Sequence, residues 1–210
     1  MKRDVMLKKF CSFLTDVDIV IFGSNDLAKE ASDIYVPGHL YITDNFGLAA
    51  SVGLGIAMCT DKRVFVLIGE GDVIRDFGIV LQLAASKCQN MFLIIFNNGV
   101  YQNAGGFPSV FSSMTSISGA FFNLGCRSFN LTKDFEQKEY KNTKHFIVRA
   151  TGPIVMLLNI DKSKNIYADV EVNNRLEEFK ELLRDKEKKS SLYNPFAIME
   201  ELGDLPTLKV

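Results

Sequence analysis

The sequence predicts an α/β fold in which a doubly wound, mainly parallel sheet is flanked by helices. Short apolar strand candidates alternate with helix candidates along most of the 210 residues, the order that produces parallel strands joined by crossover helices. Two of the strand candidates, "MFLIIF" and "PIVMLLNI", are almost continuously apolar, as expected for strands covered on both faces. The hydrophobic content of 47% and the charged content of 23% are typical of a globular protein with a core.

The first half of the chain supplies three strand candidates and the helices between them. "DVDIVIFG" is a short apolar strand, and Ser24 or Asn25 is placed to cap a helix through "DLAKEASDIY". Pro37 and Gly38 mark a turn before the second strand, "LYITD". "FGLAASVGLGIAMCT" follows as a helix whose small residues let another backbone approach closely, and "RVFVLIG" is the third strand.

The second half repeats the alternation. A helix through "FGIVLQLAASKC" leads to the strand "MFLIIF", and "PIVMLLNI" is a later strand before the charged amphipathic helix "NNRLEEFKELLRDKEKK". The polar segment "KDFEQKEYKNTK" is expected to be a solvated helix or loop. We therefore expect one domain over residues 1–188 and a C-terminal tail over residues 189–210, whose weak periodicity is typical of a mobile or partner-docking segment.

The charge and cysteine content argue against several classes of protein. The formal net charge of −1 implies no broad attraction to nucleic acid or to an anionic membrane. We expect no membrane span, because no run of about eighteen apolar residues is present, and no signal peptide, because the charged N-terminal segment lacks a cleavage site. The four cysteines lie far apart without a CxxC pair, which argues against a zinc or iron–sulfur site and favours reduced thiols in a cytoplasmic protein.

Two glycine-containing segments are expected at the carboxyl edge of the sheet, where such sheets bind ligands. They are "GEGDV", after "VFVLI", and "NNGVYQNAGG", after "MFLIIF". Glycines there let backbone amides approach an anion, and carboxylate and amide oxygens bind a hard cation. A diphosphate with a magnesium ion satisfies both segments. A P-loop motif is absent, and the glycine spacing of a Rossmann fingerprint is poorly matched.

An ordered series of motifs resembles the thiamine diphosphate-binding domain of phosphonopyruvate and sulfopyruvate decarboxylases. The triplet "GEG" at residues 69–71, followed after twenty-five residues by Asn97 and Asn98, resembles that family's GDG…NN motif. The longer stretch "CQNMFLIIFNNGVYQNAGGFPS" resembles its "KNL…NNG…GGQPT" sequence, and "LYITDNFGLAASVGLGIA" resembles a segment upstream. The resemblance covers roughly residues 17–185 and implies the thiamine diphosphate-binding fold.

The resemblance also implies a set of metal-binding and cofactor-binding residues. Glu70 and Asn98 are implied as side-chain ligands of Mg²⁺, and Val100 as a ligand through its backbone carbonyl. The other cofactor-binding residues that it implies are Asp44, Phe46, Gly69, Gly71, Asp72, Val73 and Tyr101.

Several of these residues have a stated role in the family pattern. The Asp44 carbonyl would accept a hydrogen bond from the aminopyrimidine of the cofactor, and Phe46 would wedge the cofactor into its bent form, unless Phe46 is an ordinary core residue. Gly71 and the amides of Asp72 and Val73 would face the phosphates. Tyr101 would border the diphosphate or the substrate entrance, or serve only in packing.

The chain departs from the family pattern near this site: "DNFG" stands where "GSMG" is usual, and three further residues differ. Glu70 stands where Asp is usual and is one methylene longer, and Phe107 stands where the motif has Gln. Asp72 stands where a small neutral residue is usual. It would repel a phosphate unless it turns outward or itself binds the metal.

The function implied by the resemblance is decarboxylation of a small 2-oxo acid to CO₂ and an aldehyde, with thiamine diphosphate and Mg²⁺ as cofactors. In that family a glutamate of a separate pyrimidine-binding domain activates the cofactor, and the 210-residue chain has no room for that domain. We therefore expect no catalytic residue of this kind in the chain, but a pyrimidine-domain α subunit as partner in an α2β2 assembly. The alternatives are the β subunit of a 2-oxo acid:ferredoxin oxidoreductase, an acyl-transferring carboligase, or a catalytically silent cofactor-binding or regulatory subunit.

Overall fold

The structure is a computed structural model that describes residues 1–23, 25–32, 34, 39–42, 47–114, 116–131, 152–162 and 176–184. The strands of its main sheet are β1 (Ile19–Phe22), β2 (His39–Tyr41), β3 (Val64–Gly69), β4 (Met91–Asn97), β7 (Arg127–Leu131) and β8 (Ile154–Asn159). A short antiparallel hairpin is made by β5 (Val100–Tyr101) and β6 (Phe107–Pro108). The helices are α1 (Arg3–Cys11), α2 (Asn25–Ser32), α3 (Leu48–Ala57), α4 (Glu70–Arg75), α5 (Gly78–Ser86), α6 (Val110–Ser113), α7 (Ile117–Asn123) and α8 (Leu176–Arg184).

The main sheet is doubly wound and, within the described residues, parallel throughout. Its strand order is β2-β1-β3-β4-β8-β7, and each neighbouring pair runs in the same direction. The chain leaves β1 toward β2 on one side and returns to β3 on the other side. The order of winding therefore reverses between β1 and β3, which confirms the predicted fold class and places a ligand crevice at the carboxyl ends of these strands.

Both faces of the sheet are buried, which explains why its central strands β1, β3, β4 and β8 are apolar along nearly their whole length. In β4, Leu93 and Ile95 belong to the core layer that also contains residues of α3, α5, α7 and α8. The alternate residues Phe92, Ile94 and Phe96 belong to the opposite layer, with α1 and α2. Because successive side chains of a strand point to opposite faces, two covered faces require a continuous apolar sequence.

Helix α1 lies in a segment to which the sequence assigned no element. Met6, Leu7 and Phe10 recur at helical spacing and are buried, and the Phe10 ring meets that of Phe65 on β3 edge-on at 6.1 Å. Arg3 at the start of the helix forms a bidentate ion pair with Glu30 on α2, at 2.7 and 3.0 Å. The charges that make the segment look unlike a core helix are therefore paired or lie on its outer side.

The small residues of α3 bring this helix close to the sheet, as predicted. A Cβ built on Gly53 would overlap the Cγ2 atom of Val66 on β3 and would lie 3.5 Å from Met91 Cε. Gly55 has nothing within 4 Å of the same position. Only the first of these two glycines is therefore required by packing.

Two parts of the sequence prediction differ from the structure or fall outside it. The segment "GEGDV", interpreted from the sequence as one of two loops at the carboxyl edge of the sheet, is not a loop, because Glu70 is the first residue of the short helix α4, which follows β3 directly. The polar segment "KDFEQKEYKNTK" and the tail over residues 189–210 lie outside the described residues. Among the helices that are described, none has the length and apolar character needed to span a membrane.

Candidate functional site

A cavity of about 520 Å³ lies at the carboxyl edge of the sheet, next to the point where the winding reverses. Its walls come from the ends of β3 and β4, from α4 and the β5–β6 hairpin, and from α1 and α2. The predicted site residues that line it are Gly69, Glu70, Gly71, Asp72, Asn98, Val100 and Tyr101. Residues from two distant segments of the sequence are thus brought into one cavity by the parallel pairing of β3 with β4.

Glu70 presents a buried carboxylate with one oxygen unused. The residue is 3% exposed, and its Oε2 atom accepts the backbone N–H of Gly99 at 3.0 Å. Its Oε1 atom is buried and has no hydrogen-bond partner among the described residues. Burial raises the pKa of Glu70, while the neighbouring Ser109 hydroxyl and the N–H groups of Gly99 and Asn98 lower it. A cation at Oε1 would relieve the cost of burying this charge.

Asn98 and Val100 line the same cavity on the turn after β4. Gly99 between them has a positive φ of 75°, a conformation that glycine adopts without strain. The Asn98 Oδ1 atom accepts the Val100 N–H at 2.9 Å, and Asn98 Nδ2 donates to Gln102 Oε1 at 3.1 Å. The amide is therefore held in place by two contacts on the segment that carries it.

Among the residues that line the cavity, Glu70 offers a carboxylate oxygen, Asn98 an amide oxygen and Val100 a main-chain carbonyl oxygen. This is the type of donor set that a hard cation such as Mg²⁺ prefers. No group of three or more His, Cys, Asp and Glu side chains able to hold a metal occurs in the described part of the chain. The chemistry of the donors and the unused Glu70 Oε1 atom therefore fit Mg²⁺ bound together with a diphosphate.

Asp72 is turned toward the protein and not toward solvent. It is 3% exposed, and its carboxylate accepts the backbone N–H groups of Gly69 and Gly47. Burial raises the pKa of Asp72 to about 6, although these two N–H groups and the nearby charge of Arg75 lower it. The outward orientation that the sequence left open is thus not the one observed.

The remaining predicted residues have clear positions where the structure describes them. A Cβ on Gly71 would lie 3.7 Å from Cδ1 of Tyr101, so the half-buried tyrosine ring lies beside this glycine at the cavity wall. The Val73 side chain is 1% exposed and belongs to the core layer under α5. Asp44 and Phe46 lie outside the described residues, and their roles stay predictions.

Several residues of the site were not found by reasoning on the sequence. Arg3, Asp26 and Arg75 add charged groups to the cavity wall. Gln102 accepts a hydrogen bond from the Asn98 side-chain amide, and the only sign of this contact in the sequence is that the two residues are four positions apart. Ser109 is buried beside Glu70.

Comparison with known proteins identifies a protein family whose model matches the part of the chain that contains most of the residues lining the cavity. The family model described as thiamine pyrophosphate enzyme, C-terminal TPP binding domain, matches residues 27–137, just over half of the chain. Thiamine pyrophosphate is another name for thiamine diphosphate.

Two curated relatives are β subunits of sulfopyruvate decarboxylase from two different organisms. The chain is 33% identical over 103 residues to sulfopyruvate decarboxylase subunit beta of Methanothermobacter thermautotrophicus, a match that covers 48% of this chain and 55% of that protein. It is 26% identical over 148 residues to the same subunit of Methanocaldococcus jannaschii, covering 67% of this chain and 76% of that protein. The first match thus spans about half the length of the relative.

A solved structure shares the fold. The thiamine diphosphate-dependent 4-hydroxybenzoylformate decarboxylase of Rhodococcus jostii RHA1 superposes with a TM-score of 0.62 at 14% identity, over 79% of this chain and 33% of that protein. At this identity the match shows the fold alone.

Proposed function

The chain belongs to the family of thiamine pyrophosphate enzymes, whose C-terminal TPP-binding domain it matches, and we propose that it is the thiamine diphosphate- and Mg²⁺-binding subunit of a 2-oxo acid decarboxylase. The observation that carries the proposal is the buried Glu70 carboxylate, whose Oε1 atom lacks a hydrogen-bond partner in the described part of the chain and lies in a cavity shared with Asn98 and Val100. Two relatives that are β subunits of sulfopyruvate decarboxylase support the reaction class.

The proposed work of this chain is to bind and orient the cofactor. Mg²⁺ would be held by the side chains of Glu70 and Asn98 and by the Val100 carbonyl, and would neutralise the diphosphate. Gly71, which has no side chain at the cavity wall, would allow the phosphates to approach the backbone. When bound, thiamine diphosphate supplies the electron sink for the loss of CO₂. No proton transfer is assigned to residues of this chain.

The proposed substrate is a small 2-oxo acid with a terminal sulfonate or phosphonate, converted to an aldehyde and CO₂. The substrate class comes from the family resemblance and from the named relatives. Since those relatives are called β subunits, we propose a pyrimidine-domain α subunit that supplies the activating glutamate in an α2β2 assembly.

The metal-dependent part of the proposal is tested by titrating thiamine diphosphate into the full chain at varied Mg²⁺, followed by calorimetry. Glu70→Gln keeps the size of the side chain but removes its charge, so Mg²⁺-dependent binding should be lost. Glu177→Gln is the matched control, because Glu177 is an exposed glutamate on α8 that forms an ion pair with Lys180 and does not line the cavity. Binding by Glu70→Gln equal to that of wild type would refute the assigned ligand.

The reaction is tested separately by measuring CO₂ release from sulfopyruvate. We expect no turnover by this chain alone and turnover when a chain with the pyrimidine domain is added. Turnover by the purified chain alone would contradict the split active site. Cofactor binding without turnover in the assembled complex would instead favour the catalytically silent subunit.

A further inference from the structure

Ser109 combines deep burial with an unused hydroxyl beside the Glu70 carboxylate. It is 3% exposed. Among the described residues, three buried side-chain polar atoms lack a hydrogen-bond partner: Glu70 Oε1, Ser109 Oγ and His39 Nε2. His39 lies on β2, at the edge of the sheet, whereas the first two atoms belong to neighbouring side chains. Two adjacent orphan oxygens are costly unless something brings them into use.

The backbone position of Ser109 makes the unused hydroxyl unusual. Ser109 is the N-cap residue of α6, with φ −79° and ψ 162°, yet its side chain makes no capping hydrogen bond. A serine at this position ordinarily accepts an N–H group from the first turn of its helix. Here the hydroxyl instead lies near Glu70, close enough to lower the pKa of that carboxyl.

Gly99 fixes Ser109 and Glu70 relative to each other. The Ser109 N–H donates to the Gly99 carbonyl at 3.0 Å, and the Gly99 N–H donates to Glu70 Oε2 at 3.0 Å. On its other side, the Ser109 carbonyl accepts the Ser112 N–H at 3.0 Å and the Ser112 hydroxyl at 2.6 Å. The hydroxyl is therefore presented to the carboxylate from a backbone that is held at both ends.

We propose that Ser109 is a positioning residue for the metal-binding carboxylate, with its hydroxyl donating to Glu70 Oε1 when a divalent cation is bound. One lone pair of Oε1 then accepts the hydroxyl, and the other faces the cation. The inference rests on the proposed function of Glu70 as a metal ligand. A glutamate has one more rotatable bond than the aspartate usual at this position, so it needs a second anchor besides the Gly99 N–H.

The test measures Mn²⁺ binding to the full chain in the presence of thiamine diphosphate by electron paramagnetic resonance. Mn²⁺ takes the same oxygen ligands as Mg²⁺ and is visible to this method. Ser109→Ala should raise the dissociation constant for Mn²⁺ by about 10- to 100-fold, the usual effect of losing a partner of a metal ligand. Ser109→Thr keeps the hydroxyl and should bind close to wild type. Ser113→Ala is the matched control, because Ser113 is an exposed serine on the same helix whose hydroxyl donates to the Val110 carbonyl.

The outcomes separate this inference from the proposed function. If Ser109→Ala binds Mn²⁺ as Ser113→Ala does while Glu70→Gln loses it, the inference is wrong and the metal site stands. If Ser109→Thr is as weak as Ser109→Ala at an unchanged unfolding midpoint, the hydroxyl is not the cause and the inference is again overturned. If wild type does not bind Mn²⁺, or Glu70→Gln binds it normally, the proposed metal site fails and the role of Ser109 fails with it.

Discussion

Asp72→Asn removes a charge that the fold buries at a cost, and the cost has a definite dependence on pH. The Asp72 carboxylate is 3% exposed, and burial raises its pKa from the ordinary 3.8 to about 6. A group whose pKa is higher in the folded than in the unfolded protein stabilises the fold fully below its unfolded pKa. That contribution is lost as the pH rises through the folded pKa. Wild type should therefore lose stability relative to Asp72→Asn between pH 3.8 and pH 6.

The size of the effect follows from the pKa difference. A change from 3.8 to about 6 corresponds to about 3 kcal/mol over the complete titration. Between pH 4.5 and pH 8, the accessible part of the titration is about 2 kcal/mol. Asparagine keeps one side-chain oxygen that can accept an N–H group but loses the second, so the stability of the variant at any single pH also contains the cost of a lost hydrogen bond. That cost does not vary with pH, so it cancels when the difference in stability between the two proteins is compared across pH values.

The assay is urea unfolding of both proteins at several pH values without cofactor, with the free energies of unfolding compared at each pH. The advantage of Asp72→Asn over wild type should grow by about 2 kcal/mol from pH 4.5 to pH 8. Glu177→Gln is the control, because Lys180 lowers the pKa of the exposed Glu177 and the difference should change in the opposite direction. If the difference in the free energy of unfolding between wild type and Asp72→Asn is the same at all pH values, burial does not raise the pKa of Asp72 and this prediction is wrong.

Four further substitutions test buried polar groups and close packing in the fold by urea unfolding. Burial lowers the pKa of His39 from 6.5 to about 4. The free energy of unfolding of wild type should therefore fall by up to about 3 kcal/mol relative to that of His39→Gln as the pH falls from 6.5 to 4. The same pH dependence in both proteins would contradict this expectation. The Asn90 side-chain NH₂ group lies 2.7–3.1 Å from the backbone carbonyls of Ala57, Thr60 and Lys62, which share its two N–H donors. Asn90→Ala should therefore cost about 2–3 kcal/mol of the free energy of unfolding. It should leave the titration with thiamine diphosphate unchanged, because Asn90 precedes β4 at the edge of the sheet away from the cavity. Gly53→Ala should lower the free energy of unfolding, because the new methyl group would overlap Val66. Gly55→Ala, whose methyl group would lie in open space, should raise the free energy of unfolding by about 0.5–1 kcal/mol. Equal effects of the two substitutions would refute the packing argument.

The parts of the fold that the sequence predicts are those where burial on two faces leaves a strong pattern. β3, β4 and β8 are continuous apolar runs, and their helical connections follow from the alternation of elements. By contrast, α1 carries several charges, and its buried side depends on contacts with distant strands such as that of Phe10 with Phe65. The residues of α6 and α7 carry no comparable periodicity, and no sequence rule assigned them.

The residues of the site likewise fall into those that a sequence motif predicts and those that only tertiary packing brings to the cavity. The motif positions at the ends of β3 and β4 could be predicted, because parallel strands bring their carboxyl ends to one edge. Arg3 and Ser109 reach the site through tertiary packing, and neither has a local sequence signal. Arg3 comes to the cavity only because α1 packs beside α2, where it pairs with Glu30. Ser109 looks in the sequence like an ordinary N-cap serine, and only the structure shows that it does not cap its helix.

The sequence left open which of the two neighbouring carboxylates, Glu70 or Asp72, would bind the metal, and helix α4 supplies a physical reason to choose. Side chains two residues apart on a helix do not share a face. Glu70 is directed toward the turn after β4, where the Gly99 N–H donates to Oε2 while Oε1 has no hydrogen-bond partner among the described residues. Asp72 is directed toward β1 and α3: its Oδ2 atom lies 3.8 Å from where a Cβ of Gly23 would stand, and its carboxylate accepts the backbone N–H groups of Gly69 and Gly47. A cation is drawn to the buried carboxylate that still has an unused oxygen. We therefore expect Glu70→Gln to lose Mg²⁺-dependent cofactor binding and Asp72→Asn to retain it, a pair of results that a flexible loop in place of α4 would not predict.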